Sequence, residues 1–322
     1  MDFQLSDDQR ALRSGMRDLL GAAFDRDGLR AAVERGGAVD RGLWRELGAA
    51  GFFALRLPEE AGGVGLGLPE AVLLFEEAGR ALLPGPLVAT HLAAGLVKGA
   101  AEGEAVVTAS QGGGLPVADL RGADAVLVAG GVLTGEELAA FVAGARPVRS
   151  MDPLTPLHRA EGLVAAAEAY PGALRGEGAL LTAAEQLGSA ARTTEMAVQH
   201  ARAREQFGSL IGSFQAVKHL CADMLARTEP ARGAVYAAAV TGDPVEIAAA
   251  KLLADDAAVR NARDCLQIHG GMGFTWEADV HLHLKRAWLR AARWLTAAEA
   301  EEILAAGLGP VRPLYGGSAA LG

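Results

Sequence analysis

The sequence predicts a mainly α-helical protein with a small β insert, on three observations. Apolar residues recur at helical spacing over long stretches, as in Leu180, Leu181, Ala184, Leu187, Ala191 and Val198. Alanine and glycine are abundant while aromatic residues make up only 5%, which suits closely packed helices. Between about 104 and 170 this texture gives way to short apolar runs bounded by glycine. The expected organisation is a helical unit over 1–103, a reduced middle β unit over 104–170, a four-helix bundle over 171–307 and a loosely ordered tail over 308–322.

Each element has a local reason. Ser6 followed by Gln9 reads as a capping box, and Leu12, Met16, Leu19 and Leu20 continue it as a helix. Further helices are expected at about 41–50 (Leu43, Trp44, Leu47), 69–82 (Val72, Leu73, Phe75, Ala78) and 86–98. The run Leu57 to Gly65 is a proline and glycine loop. Ala105 to Ala109 and Ala123 to Ala129 read as buried strands, and Thr134 with Glu137 as the cap of a short helix through Phe141. Some 65 residues leave room for three or four strands, too few to close a barrel. Beyond Asp152-Pro153-Leu154-Thr155 the chain reads as helical. One helix ends near His200, a second carries Phe214, Val217, Leu220, Cys221 and Met224, and a third starts at Asp243-Pro244 with Glu246. The third runs through Ile247, Leu252, Val259 and Leu266 to a Gly-Gly stop, and a fourth covers about 277–305.

Composition excludes several function classes. With 30 Lys plus Arg against 39 Asp plus Glu, the net charge of −9 argues against nucleic-acid or anionic-membrane partners. The two cysteines, Cys221 and Cys265, have no metal spacing and read as buried thiols. His200, His219, His269, His281 and His283 form no constellation with a nucleophile, and His281 and His283 are misplaced for a metal pair. No leader-like segment or membrane-length apolar run occurs, so a cytoplasmic location is expected.

Two segments suggest chemistry. Arg204-Glu205-Gln206-Phe207-Gly208, continuing to Phe214-Gln215, offers a guanidinium fork for phosphate oxygens. Gln267-Ile268-His269-Gly270-Gly271-Met272-Gly273-Phe274-Thr275 ends a long apolar helix on glycines that let backbone amides approach a ligand. Separately, each has an ordinary reading as a solvated charge and a helix cap. In this order and about sixty residues apart, they resemble the R-x-x-F-G…F-Q and Q-x-x-G-G-x-G-F-x-x-E patterns of acyl-CoA dehydrogenases. Here the second runs unbroken from Gln267 to Glu277, the latter read as shaping a helix start, and Pro58 to Gly65 resembles that family's N-terminal loop.

The resemblance implies that Arg204, Gln206, Phe207, Phe214, Gln215, Gln267, Gly270 and Gly271 reach across a dimer interface to a neighbour's FAD. It also exposes two losses. The flavin-contacting segment of the middle domain is replaced by Thr108-Ala109-Ser110-Gln111-Gly112-Gly113, and the family's catalytic glutamate falls on Trp294. An alternative base position falls on Gly178; the nearest acid, Glu177, is one residue off register and about 100° round a helix. No catalytic residue is therefore expected, with Glu177 a weak candidate. The expectation is a non-catalytic chain of an α2β2 acyl-CoA dehydrogenase. A partner would carry the glutamate and share the FAD, an acyl-CoA, steroid-derived by analogy with such enzymes, would be the substrate, and an electron-transfer flavoprotein or similar acceptor would reoxidise the flavin. A self-sufficient homomer with a displaced base and a flavin-free scaffold are the alternatives.

Overall fold

The computed structural model describes residues 4–111, 114–160 and 172–308. Gly112, Gly113 and the expected loose tail beyond Leu308 lie outside them. Helix α1 (Asp7–Ala23) starts on the expected box: the Gln9 N–H donates to Ser6 Oγ and the Ser6 N–H to Gln9 Oε1, both at 3.1 Å. Helix α2 (Arg26–Glu34), capped by Asp25, was not expected, because its short buried face comprises only Leu29 and Ala32. Helices α3 (Arg41–Ala49) and α4 (Leu68–Arg80) follow as expected. Helix α5 (Leu87–Leu92) stops well short of 98, and the chain turns through Gly95 and Gly99, the latter at φ +85°. Trp44, Phe52, Phe53 and Phe75 pack ring on ring between these helices, with centroids 4.8–5.3 Å apart.

Helix α4 is the hub of the fold. Glu77 accepts two bonds from Arg17 of α1, at 2.8 and 2.5 Å. Glu76 accepts from Arg232 and, at 2.6 Å, from the Tyr236 hydroxyl, both on α8 (Gln215–Thr241). Against α7 (Gly172–Ala203) the two backbones nearly touch: a Cβ on Gly79 would overlap the Glu185 carbonyl, and one on Gly188 the Glu76 carbonyl.

The middle region holds six short strands among the described residues rather than three or four. β1 (Val107–Ala109) pairs parallel with β3 (Ala125–Val128), which pairs antiparallel with β4 (Gly131–Leu133). β6 (Leu157–Ala160) lies between β2 (Val117–Ala118) and β5 (Ala145–Val148), antiparallel to both. These form two open three-stranded sheets. Helix α6 (Gly135–Ala143) bridges β4 and β5, but the Thr134 side chain makes no capping bond.

The bundle comprises α7, α8, α9 (Pro244–His269), α10 (Val280–Ala291) and α11 (Ala297–Gly307). Asp243 caps α9 as its sequence predicts, donated to by the N–H groups of Val245 and Glu246 at 2.8 and 3.0 Å. Helix α7 runs three residues past His200. The single helix expected over 277–305 is two, because Trp294 sits in the left-handed region at φ +62° and breaks it. One continuous hydrophobic core draws residues from the N-terminal helices, β1, β3 and the bundle. No helix among the described residues is long and apolar enough to cross a membrane.

The α4–α7 crossing yields a paired test by urea denaturation. Gly188→Ala should cost about 3 kcal/mol or more, because the added methyl meets backbone. Gly233→Ala, on an exposed stretch of α8 with nothing within 4 Å of the new Cβ, should gain about 0.5–1 kcal/mol.

Candidate functional site: an exposed face and a packed tryptophan

The two glycine-punctuated segments meet at one end of the bundle. Helix α7 delivers Arg204, whose N–H donates to His200 O at 2.9 Å and whose carbonyl accepts from Ile211 N–H at 2.8 Å. A two-stranded hairpin follows, β7 (Glu205–Gln206) and β8 (Ser209–Leu210), turned by Phe207 and Gly208 at φ +56° and +72°. Two successive residues at positive φ match the twist of a tight hairpin, though only the second is a glycine. The Phe207 ring is 93% exposed and meets the Phe214 ring edge to face at 6.2 Å. Gln215 then opens α8.

Helix α9 stops at Gly270, at φ +58° and ψ −141°, a conformation that L side chains avoid. The His269 Nδ1–H donates to Cys265 O at 2.8 Å, and its ring stacks on that of His200 at 4.1 Å and 20°. This stack, with Ala197, Ala201, Met224, Cys265, Leu266 and Ile268 packed beneath it, joins the two segments. Sequence reading missed it, since a histidine on each of two helices gives no sign that they face each other. The thiol there is inert: burial pushes Cys265 up to about 12. Cys221, expected buried, is half-exposed.

All eight residues proposed for the cofactor, Arg204, Gln206, Phe207, Phe214, Gln215, Gln267, Gly270 and Gly271, are exposed on this face. No hydrogen bond or ion pair among the described residues holds the Arg204 guanidinium, and nothing lies within 4 Å of a Cβ built on Gly270 or Gly271. This donor set fits the oxygens of a pyrophosphate as one open wall. Phe274 and Trp276, 77% and 59% exposed, extend it. Glu277 is exposed and its side chain does not cap α10; its carbonyl accepts from Arg26 Nη2 at 2.7 Å, tying the loop to α2.

At the other end of α7, the two positions on which the resemblance places a base, Trp294 and Gly178, are neighbours in space. The Trp294 indole lies directly over Gly178, in space that a Cβ there would occupy. The Trp294 N–H donates to Gln111 Oε1 at 2.8 Å, and its carbonyl accepts from Arg175 Nε at 2.7 Å. Glu177 turns away into a bidentate pair with Arg56, at 2.7 and 3.1 Å. From Gly178 to Ala203 is about 38 Å along the helix at 1.5 Å per residue, so the Trp294–Gly178 contact and the exposed face stand far apart.

Beside Trp294 lies an array of buried charge that no sequence motif announced. Its only trace is Arg286, Arg290 and Arg293 at helical spacing on an apolar helix. Arg286 donates to Asp152 Oδ2 at 2.5 Å, Leu83 O at 3.1 Å and Leu154 O at 3.3 Å. Burial alone would raise the Asp152 carboxyl, yet the Arg286 guanidinium, with the Thr155 hydroxyl and Leu154 N–H, holds it below the usual range. Arg290 donates to Glu185 at 2.8 Å, and burial pushes that carboxyl up. His283 accepts from or donates to the Ser189 hydroxyl at 2.7 Å, and burial pulls it down to about 3. No group of His, Cys, Asp or Glu among the described residues could hold a metal ion.

The two glycines separate conformation from contact. Gly270→Ala should destabilise the isolated chain by about 1–2 kcal/mol, the cost of a left-handed L residue. Gly271→Val should shift it by less than about 0.5 kcal/mol, so any flavin loss it causes in an assembly reflects a blocked ligand contact and not a folding defect. Thermal melting of both variants checks this.

Comparison with known proteins closes the identification. The acyl-CoA dehydrogenase N-terminal domain matches residues 6–102 and the acyl-CoA dehydrogenase C-terminal domain residues 175–304. The chain is 35% identical over 296 residues to acyl-CoA dehydrogenase IpdE2 of Mycobacterium tuberculosis, covering 87% of this chain and 91% of that one. It is 34% identical to acyl-CoA dehydrogenase FadE34 of the same organism over 96% of this chain, which spans about half (51%) of FadE34's length. Among solved structures, glutaryl-coenzyme A dehydrogenase with glutaryl-CoA superposes with a TM-score of 0.81 at 20% identity, over 97% of this chain and 98% of that one. The Tcur3481–Tcur3483 steroid ACAD superposes with 0.78 at 23%, over 94% and 99%. The chain belongs to the acyl-CoA dehydrogenase family.

Proposed function

We propose that this chain is the non-catalytic subunit of a heteromeric, FAD-dependent acyl-CoA dehydrogenase, completing a partner's cofactor site rather than holding a whole one. The observation that carries this reading is the division along α7: at one end an exposed face on which the Arg204 guanidinium is unengaged, and about 38 Å away the Trp294 indole packed over Gly178, where the resemblance places the base. A single extended dinucleotide does not bridge that distance. When bound, FAD accepts the β-hydride while a carboxylate takes the α-proton of the thioester. Toward it this chain's residues do binding work only. Arg204 presents its fork to the pyrophosphate, the amides of Gln206, Gln215 and Gln267 supply further polar contacts, and Gly270 and Gly271 admit the ligand close to backbone. Phe207 and Phe214 cover the adenine side. The catalytic glutamate comes from the partner chain, as a second acyl-CoA dehydrogenase subunit in an α2β2 assembly.

The substrate is an acyl-CoA, and the fold neighbour named as a steroid ACAD with two chains favours a bulky, steroid-derived acyl group. Electrons pass to an electron-transfer flavoprotein or a similar acceptor in the cytoplasm. The exposed Arg204 and Gln267, retained as ligand contacts, argue against a flavin-free scaffold kept for assembly alone.

Co-expression with a partner dehydrogenase tests the reading by flavin absorbance and subunit ratio. The chain alone should be colourless and inactive toward any acyl-CoA, and the complex yellow and active; a yellow, active homomer overturns it. Within the complex, Arg204→Ala should weaken flavin retention by about 1.5–3 kcal/mol without dissolving the assembly, and Arg204→Lys should restore only part.

The second reading, a homomer with Glu177 as displaced base, meets the Arg56 pair. Glu177→Gln should leave turnover within about twofold, because general-base loss would cost about a hundredfold or more, and should change stability by about 1 kcal/mol or less. Steady-state kinetics of the complex decides.

A further inference from the structure

A groove of about 380 Å³ runs between the segment leading into α1, the first turns of α4 and the last turns of α8, at the end of α8 opposite Phe214. Leu5, Pro69, Val72, Tyr236, Ala237 and Val240 form its floor and walls, and Glu246, on the first turn of α9, is the only charged residue that lines it. Val240 is 66% exposed. An apolar hollow on a chain surface marks a place of interaction. Among the described residues, no buried polar atom left without a partner lines this one, so it suits an apolar stretch of chain rather than a small polar ligand.

The chain itself supplies a matching segment. Helix α11 ends beside the groove: a Cβ built on Gly307 lies 3.1 Å from Val245 Cγ2, one residue before Glu246, and Leu308 is 85% exposed. From there the sequence continues Gly309-Pro310-Val311-Arg312-Pro313-Leu314-Tyr315. Prolines three positions apart favour the polyproline II helix, which repeats every three residues. In that conformation Pro310 and Pro313 share one edge, Val311 and Leu314 a second, and Arg312 and Tyr315 the third. Two apolar edges and one basic edge complement an apolar groove with an acidic rim, and Arg312 is the only charged side chain in 309–322. Segments with this proline spacing dock on apolar grooves that bear aromatic rings, and Tyr236 supplies the ring here. Reach is ample, since residues 309–315 extend about 22 Å at 3.1 Å per residue, whereas Tyr236 to Thr241 covers about 8 Å of α8.

We propose that residues 310–315 dock into this groove of their own chain, with Val311 and Leu314 against Tyr236 and Val240 and Arg312 on Glu246. The segment then straps the end of α11 to α8 and to the start of α1. Tethering through Leu308 gives it an effective concentration on the order of millimolar, so a contact too weak to hold a free peptide is populated. The strap requires neither flavin nor a partner chain and stands independently of the heteromer reading.

The chain has three tyrosines, Tyr170, Tyr236 and Tyr315, so fluorine NMR of the full chain labelled with fluorotyrosine reads the groove and the segment at once, each line assigned by Tyr→Phe substitution. Expected is a Tyr315 line displaced from that of free fluorotyrosine, as broad as the Tyr236 line and unchanged on dilution. Val311→Ser with Leu314→Ser, which leaves the helical core untouched, should collapse Tyr315 to a sharp line at the free position and move the Tyr236 line. Val240→Lys, at an exposed position on the groove side, should do the same. Arg312→Glu should shift the docking equilibrium about fivefold toward the free line, and adding Glu246→Arg should restore it. A sharp, free Tyr315 line in the unsubstituted chain overturns the proposal. So does a displaced line indifferent to both Val240→Lys and the charge exchange, or one that is lost on dilution, as for a segment exchanged with a second copy.

Discussion

The near-contact of backbones where α4 crosses α7 fixes the position of both ends of α7. Glycine at Gly79 and Gly188 lets carbonyls of the facing helices sit where side chains would otherwise stand. The same turns carry buried carboxylates: Glu76 binds α8 through Arg232 and Tyr236, and Glu185 reaches inward to Arg290 of α10. Since α7 runs unbroken to Ala203, setting it against α4 also sets Gly178 under Trp294 at one end and Arg204 on the surface at the other.

Two kinds of site result, with opposite energetics. The Arg204 face is open, its guanidinium uncommitted, and its aromatic residues exposed; its donors retain full strength only if something else removes them from water. The region around Trp294 is closed by the chain itself. The indole occupies the notch that Gly178 leaves, Gln111 engages its backbone, and the arginines of α10 are buried against Asp152 and Glu185. Buried ion pairs contribute little net stability but are costly to break, so this region is specified tightly by polar groups.

Much of the fold was legible in the sequence because its signals are local. The Ser6–Gln9 box, the Asp243–Pro244 start of α9 and the apolar stripes of α4 and α7 act over one or two turns, and each element forms where they stand. Where local signals were thin the expectation erred: α2 buries only two residues, α5 yields to glycine-bearing turns, and strands of two to four residues were undercounted. The break at Trp294 was invisible because its left-handed backbone follows from where the indole packs, on a helix more than a hundred residues earlier in the chain.

The sequence by itself determined the family, the helical periodicity and the two glycine-ended segments, since each is a pattern of residue types at fixed spacing. Tertiary structure alone decided that the two segments share one face through the His200–His269 stack, that Gly178 and Trp294 fill a single volume, and that Glu177 belongs to Arg56. Those facts join residues that are distant in the chain. They depend on helix packing angles and on desolvation, which no spacing along the sequence encodes.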